Sequence, residues 1–80
     1  MKNLLEYILI HLVENPEDVR IDEKEGDGLV IYTIVTHPDD VGRVIGKRGS
    51  IINSIRNIAK VRAIKEGVRV RVEVDSQADG

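Results

Sequence analysis

Cysteine, tryptophan and phenylalanine are absent from this sequence of 80 residues. Without cysteine the chain has no thiolate for zinc, iron–sulfur clusters, disulfides or nucleophilic catalysis, and this composition fits a reducing compartment. We therefore expect a cytoplasmic protein. Tyr7 and Tyr32 are the two aromatic residues, too few for a sheet that stacks successive bases on aromatic side chains.

A long uncharged hydrophobic run is also missing. The aliphatic stretch near the N-terminus is interrupted by Glu6, His11 and Glu14. It lacks both the basic start of a signal peptide and the length of a membrane span. We expect neither export nor membrane association.

The sequence contains no recognisable catalytic constellation. A P-loop requires G-x-x-x-x-G-K-[ST], but Gly42 and Gly46 are one residue too close and Arg48 stands where the hydroxyl residue belongs. Asp39 and Asp40 are contiguous in a turn and are better explained as helix caps than as metal ligands. We expect no enzymatic activity, no metal and no cofactor.

Charge is strongly segregated along the chain, although the net charge is only −2. Residues 1–41 contain three basic and ten acidic side chains, whereas residues 42–71 contain nine basic side chains and one acidic side chain. A local basic block of this kind is the electrostatic footprint of a nucleic-acid-binding surface. By itself, such a block is also typical of a solvated helix face.

Hydrophobic spacing predicts a helix and then a β-hairpin in the first half. Aliphatic side chains recur at three- and four-residue spacing over residues 4–13, which predicts an amphipathic helix. Val19 and Ile21 alternate with charged residues as in a short, half-buried strand. The turn signal at 26–28 leads into a buried strand over residues 29–36.

The second half is predicted to form a short helix, a long helix and a final strand. The short helix spans residues 41–45 and is stopped by Gly46, and Gly67 ends the long helix. Valines alternate with charged residues over 68–74, as in a half-buried strand. The face of the long helix predicted to be buried comprises Ile51, Ile52, Ile55, Ile58, Ala59 and Ala63.

These elements predict an α+β fold of order α-β-β-α-α-β, with a three-stranded sheet and helices on one face. One domain covers residues 1–75, and residues 76–80 are expected to be a flexible tail.

The most informative motif is Gly46-Lys47-Arg48-Gly49, here called the GKRG loop. Glycine lets the main chain approach a sugar-phosphate closely and adopt unusual backbone angles. Lys47 and Arg48 supply countercharge. Ser50 is a preferred N-cap residue, so a helix beginning there would add its dipole and free N–H groups. The motif predicts a phosphate-binding loop.

In its context, the motif resembles the KH domain. Residues 41–56 place the loop between a short and a long helix, and the preceding helix and hairpin match the prokaryotic (type II) element order. Residues 14–17, 37–47 and 66–70 look like the small bacterial single-KH family called KhpA. The sequence Ser50-Ile51-Ile52 departs from the more polar helix start expected in that family.

This resemblance implies a groove for about four nucleotides of single-stranded RNA, or of DNA. The loop would clamp the backbone, and Arg43, Arg56 and Lys60 would extend the positive surface. Val44, Ile45, Ile52 and Ile55 are candidates for an apolar floor, although each is also a plausible core residue. The roles of Arg69 and Arg71 stay open between solvent exposure and RNA contact. The expected RNA-binding set is Arg43, Val44, Ile45, Gly46, Lys47, Arg48, Gly49, Ser50, Ile52, Asn53, Arg56 and Lys60.

The resemblance also implies a biological setting. Members of the family are described as RNA chaperones that partner with a second KH protein of the KhpB type and influence cell shape and envelope synthesis. We therefore expect an RNA chaperone or post-transcriptional regulator, and because one small domain contacts few base edges, its sequence specificity should be low. The alternative is a protein-interaction module, forming a homodimer or binding a partner KH protein through the loop surface or through the strand at 29–35, with RNA contact secondary. The salt dependence of binding distinguishes the two readings.

Overall fold

The computed structural model describes residues 1–75, so the predicted flexible tail at 76–80 lies outside the described residues. Its elements follow the α-β-β-α-α-β order of the α+β, type II KH arrangement that the sequence predicts. Short 3-10 turns precede β1, α2 and α3. The helices and strands are α1 Lys2–Ile10, β1 Arg20–Gly26, β2 Leu29–Val35, α2 Val41–Ile45, α3 Ser50–Glu66 and β3 Arg69–Val74.

The hairpin between β1 and β2 has a two-residue turn. Gly26 pairs with Leu29 in the antiparallel register, and Asp27 and Gly28 both adopt left-handed angles, with φ of 55° and 76°. Two such residues define the type I′ turn, whose twist matches that of the flanking strands. Because this turn pairs the strands up to the hairpin tip, β1 is longer than its hydrophobic pattern predicts.

The third strand lies parallel to β2, giving the sheet order β1-β2-β3. A parallel neighbour requires a crossover connection, which α2, the GKRG loop and α3 provide. The crossover leaves β3 at an edge of the sheet, packed beside α3. This placement creates a concave surface between α3 and β3.

The helices bury one face of the sheet. Along the strands this face contributes Ile21, Tyr32, Ile34 and Val72, all 7% exposed or less. They pack with residues of all three helices in one core cluster. None of the helices in residues 1–75 is long and apolar enough to span a bilayer.

Two predicted features of the helices differ from the structure. The first helix ends at Ile10, three residues early, because Leu12 N–H and Val13 N–H both donate to the Leu9 carbonyl in a closing turn. Ile58, predicted to be buried, is 46% exposed. The buried face of α3 is narrower than the aliphatic pattern indicates, because it consists of Ile52, Ile55, Ala59 and Ala63.

Candidate nucleic-acid interface

The GKRG loop is shaped first by Gly46, at the end of α2. Its N–H donates to the Gly42 carbonyl at 2.8 Å, and its φ of 75° and ψ of 173° lie in a region that is essentially restricted to glycine. A Cβ at this position would overlap Cγ1 of Ile51 and lie 2.9 Å from the Ile51 backbone nitrogen. Gly46 therefore lets α2 and the first turn of α3 meet closely.

The rest of the loop turns through two left-handed residues. Arg48 has φ 56° and ψ 28°, and Gly49 has φ 75° and ψ 16°. For a residue with a side chain this conformation costs about 1–2 kcal/mol, so Arg48 holds a strained position. The Gly49 N–H donates to the Gly46 carbonyl at 3.1 Å, which closes the loop on itself.

Lys47 and Arg48 are the unpaired cations of the loop. Both are exposed, and neither forms a salt bridge or a side-chain hydrogen bond within residues 1–75. An exposed, unpaired cation is available to a phosphate without first breaking an internal ion pair.

Ser50 does not act as the predicted N-cap. It is the first residue of α3, with helical φ −62° and ψ −37°, and the capping position belongs to Gly49. The Ser50 N–H donates to the Lys47 carbonyl. The reason is local: the left-handed turn is completed at Gly49, so the helical conformation already begins at Ser50.

The apolar floor predicted under the bases divides between core and surface. Val44 is fully buried, and Ile52 and Ile55 are 5% and 3% exposed. These three side chains belong to the hydrophobic core, which is the interpretation that the sequence left open. Ile45 is half-buried and lies at the surface.

The predicted cations outside the loop have different environments. Arg56 Nε donates to the Val72 carbonyl at 3.1 Å, and Arg56 Nη1 donates to Asn53 Oδ1 at 3.3 Å. The Arg56 side chain therefore connects α3 to the edge strand β3. Within α3 it contacts Asn53, which lies about one turn after the GKRG loop. Lys60 is exposed and has no ionic partner in the described part of the chain.

Arg43 takes part in internal ion pairs. Its Nη2 donates to the Glu14 carboxylate at 2.5 Å, and its Nε lies 3.9 Å from Asp40 Oδ1. Part of the positive charge that the sequence assigns to the interface is thus compensated within the chain.

Asp40 is almost completely buried, at 2% exposure. Its carboxylate accepts hydrogen bonds from the backbone N–H of Glu14 and from the backbone and side-chain nitrogens of Asn15, at 3.0–3.2 Å. Burial raises the pKa of Asp40, but these hydrogen bonds and nearby Arg43 outweigh it, so that the pKa is lowered.

The predicted capping by aspartates is confirmed only in position, because Asp40 is the N-cap residue of α2. The Asp40 side chain makes no capping hydrogen bond to α2, because its oxygens accept from the segment after α1. In the preceding 3-10 turn it is His37 Nδ1 that accepts from the Asp39 N–H, at 3.0 Å.

Among residues 1–75 no group of three His, Cys, Asp or Glu side chains could hold a metal ion.

A groove of about 680 Å³ runs between α3 and β3 and is called here the α3–β3 groove. Its volume lies in the range of ligand-binding clefts. Four cations and one acid line it together with apolar side chains. The lining residues are Arg56, Asn57, Lys60, Ala63, Ile64, Val68, Arg69, Val70, Arg71, Val72 and Glu73.

Sequence reasoning found only part of this groove. It identified Arg56 and Lys60, left Arg69 and Arg71 open, and missed the apolar residues Ala63, Ile64 and Val68. The strand alternation placed Arg69 and Arg71 on one face, but only the parallel pairing of β3 with β2 brings that strand beside α3.

Comparison with known proteins assigns the family. A family model described as the KH domain of KhpA/KhpB matches residues 2–74. The chain is similar to RNA-binding protein KhpA from Clostridium perfringens, with 45% identity covering 92% of this chain and 99% of the relative. It is 43% identical to KhpA from Clostridium acetobutylicum, at the same coverage of both chains. KhpA from Chlamydia pneumoniae is 40% identical, with 92% of this chain and 95% of the relative covered.

No solved structure matches the chain significantly. The family match spans the loop, both of its flanking helices and the three-stranded sheet. The chain therefore belongs to the KhpA/KhpB family of KH-domain proteins.

Proposed function

We propose that this chain binds single-stranded RNA, with the GKRG loop against the sugar-phosphate backbone and the bases in the α3–β3 groove. The observation that carries the proposal is the pair of exposed, unpaired cations, Lys47 and Arg48, on a loop whose shape is fixed by Gly46. The relatives named above, described as RNA-binding proteins, support the same ligand.

In the proposed complex, the loop and the groove contact different parts of the RNA. The loop neutralises phosphates, which sets the position of the strand without reading its sequence. The groove offers apolar surface to about four bases, with Arg69 and Arg71 at its edge strand. Few base edges are contacted, so sequence specificity is low, and single-stranded DNA is a second ligand of the same surface.

We further propose that the protein acts in the cytoplasm as an RNA chaperone or post-transcriptional regulator. A link to cell shape and envelope synthesis, and a heterodimer with a KhpB-type KH protein, follow from the family resemblance. A weak, sequence-tolerant contact of one small domain suits a role on many transcripts, and a second linked KH site would raise its effective affinity.

The alternative function, a protein-interaction module, has one observation in its favour. Ile58, Val61 and Ile64 on α3 are 46%, 68% and 69% exposed. Such apolar side chains on one helix suit a homodimer or a partner KH domain. The strand at 29–35 fits this role less well, because β2 is the central strand and both of its edges are already paired.

The deciding experiment is fluorescence anisotropy of a labelled, unstructured RNA with wild type and the double variant Lys47→Asp/Arg48→Asp. The control Lys2→Asp/Lys24→Asp makes the same change in net charge away from the loop. We expect the loop variant to bind at least tenfold more weakly, and wild-type binding to fall with salt at a log–log slope of about −0.7 per phosphate.

Circular dichroism and molecular mass, measured in parallel, verify folding and oligomeric state. Equal losses of RNA affinity in the two double variants would indicate that the loop is only one part of a diffuse basic surface. A salt-insensitive wild type, or no RNA binding by the folded protein alone, would favour the interaction-module reading.

A further inference from the structure

The helix that leads into the GKRG loop is too short to be stable without tertiary contacts. α2 has five residues, and isolated helices of this length are not stable in water. Its orientation must come from tertiary contacts. At its C-terminal end these are the buried Val44 side chain and the close approach of Gly46 to Ile51.

At the other end of α2 the anchor is Asp40. Its buried carboxylate accepts three hydrogen bonds from Glu14 and Asn15, which lie 26 and 25 positions earlier in the chain. Both carboxylate oxygens are used: Oδ1 accepts from the Glu14 N–H, and Oδ2 accepts from both nitrogens of Asn15. The start of α2 is thereby fastened to the segment that follows α1.

Arg43 closes the same cluster from within α2. It bonds to the Glu14 carboxylate and lies beside Asp40. Glu14, Asn15, Asp40 and Arg43 form the set called here the brace. The Arg43 guanidinium is thus directed at two carboxylates of its own chain.

We propose that Asp40 is a positioning residue for RNA binding: acting through the brace, it fixes α2 so that the GKRG loop is preorganised to receive phosphate. Arg43 belongs to this brace and serves the loop without contacting RNA itself. This inference rests on the proposed function. Preorganisation raises affinity because the ordering cost of the loop is met before the ligand arrives.

The variant Asp40→Asn separates this role from simple electrostatics. Removing a negative charge near a basic loop would, by Coulomb attraction alone, tighten RNA binding. Asparagine has the same shape but replaces one acceptor oxygen by an NH₂ donor, which would face the N–H groups of Glu14 or Asn15. The brace then loosens. The two effects predict opposite signs for the change in affinity.

The test is RNA anisotropy with folded Asp40→Asn, at temperatures well below its unfolding transition. We expect about tenfold weaker binding with an unchanged salt slope, because no phosphate contact is removed. Ile21→Val is the matched control, since it destabilises the core, where Ile21 is 1% exposed, without touching the brace. It should lower the melting temperature and leave the RNA affinity unchanged.

Arg43→Gln tests the assignment of the arginine. Within the brace, it should weaken binding at constant salt slope and add little to the loss in an Asp40→Asn background, because residues of one network are not additive. A phosphate contact would instead reduce the slope by about 0.7 and add to the effect of Asp40→Asn. That second result would overturn the assignment of Arg43.

Asp40→Asn binding RNA as tightly as wild type, or more tightly, would overturn the proposal for Asp40. If that variant does not fold, Asn15→Ala removes one of the three hydrogen bonds and should weaken binding about threefold.

Hydrogen exchange keeps the inference separate from the proposed function. If the wild type binds no RNA, the proposed function fails, but the brace still predicts faster exchange of the amides at 46–49 in Asp40→Asn than in Ile21→Val. Equal exchange in the two variants would overturn the brace as well.

Discussion

At the scale of single residues, the two glycines of the GKRG loop serve different purposes. A Cβ at Gly46 would meet the side chain and the backbone of Ile51, whereas the nearest neighbour of a Cβ at Gly49 would be 3.6 Å away. Both residues have positive φ. Glycine is therefore favoured at position 49 only by the backbone conformation. At position 46 it is required both by the backbone conformation and by the lack of space beside Ile51.

This difference predicts unequal effects of alanine. Gly49→Ala should lower the free energy of unfolding by about 1–2 kcal/mol, the cost of the left-handed conformation. Gly46→Ala should cost more, because α3 must also move away from the added methyl group. Urea unfolding of both variants measures the difference, and equal costs would contradict the close contact with Ile51.

Asp40 also predicts a pH dependence. The pKa of Asp40 is lowered in the folded protein, by hydrogen bonds that outweigh its burial. The stability that it contributes is therefore complete above the ordinary aspartate pKa and is lost as the pH falls through the lower folded value. Arg43 is the charged group that faces it, with Nε 3.9 Å from Asp40 Oδ1, whereas Glu14 contacts Asp40 through its backbone N–H and directs its carboxylate at Arg43.

Melting temperatures of wild type, Asp40→Asn and Ile21→Val, measured from about pH 6 to about pH 2.5, check this sign. The deficit of Asp40→Asn relative to wild type should shrink towards acid, because wild type then loses the carboxylate as well. The deficit of Ile21→Val should change little, since no titrating group is altered. A constant Asp40→Asn deficit would show that ionisation of Asp40 does not contribute.

At the scale of elements, α3 presents three different surfaces. Ile52, Ile55 and Ala59 pack into the core. Arg56, Lys60 and Ile64 line the α3–β3 groove. Val61 is exposed but is not part of the groove lining.

Ile64 and Val61 form a matched pair for testing the groove, because they lie on one helix and are 69% and 68% exposed. Ile64→Glu should weaken RNA binding about tenfold, since it places a charged carboxylate in the groove that holds the bases in the proposed complex. Val61→Glu makes the same charge change outside the groove and should cost about twofold or less. Fluorescence anisotropy measures the RNA affinity of both variants, and equal losses of affinity would argue against base binding in the groove.

At the scale of the whole molecule, sheet order separates the charges in space. β1, with Glu23 and Glu25, forms one edge of the sheet, and β3, with Arg69 and Arg71, forms the other. These two edges of the sheet therefore differ in charge, although Glu14 and Asp40 of the acidic half lie against Arg43. In the proposed complex, RNA on the β3 side is repelled by the acidic side chains of β1.

The double variant Glu23→Gln/Glu25→Gln tests this long-range effect. It should tighten RNA binding about two- to threefold at low ionic strength and leave it unchanged near 0.3 M salt. At the higher concentration, salt largely screens charges that are separated by more than several ångströms. Anisotropy at both salt concentrations provides the measurement. An effect that persists at high salt would indicate direct contact by β1.

The local features of this protein can be predicted from its sequence. Helical periodicity, the turn signal at 26–28 and the alternation of valines in β3 depend on neighbours within a few residues, so α2, the hairpin and the GKRG loop are found where the pattern predicts them. The family resemblance also follows from these short-range motifs. Whether Lys47 and Arg48 bind RNA stays a prediction.

Which side chains share a surface depends on how distant segments of the chain pack together. The bonds from Asn15 to Asp40 and from Arg56 to the Val72 carbonyl join segments that are 25 and 16 residues apart. The parallel placement of β3 creates a groove that no local pattern indicates. Aliphatic spacing also could not tell that Ile58 is exposed, because burial depends on which neighbour a helix face meets, and that is settled only when the whole chain packs.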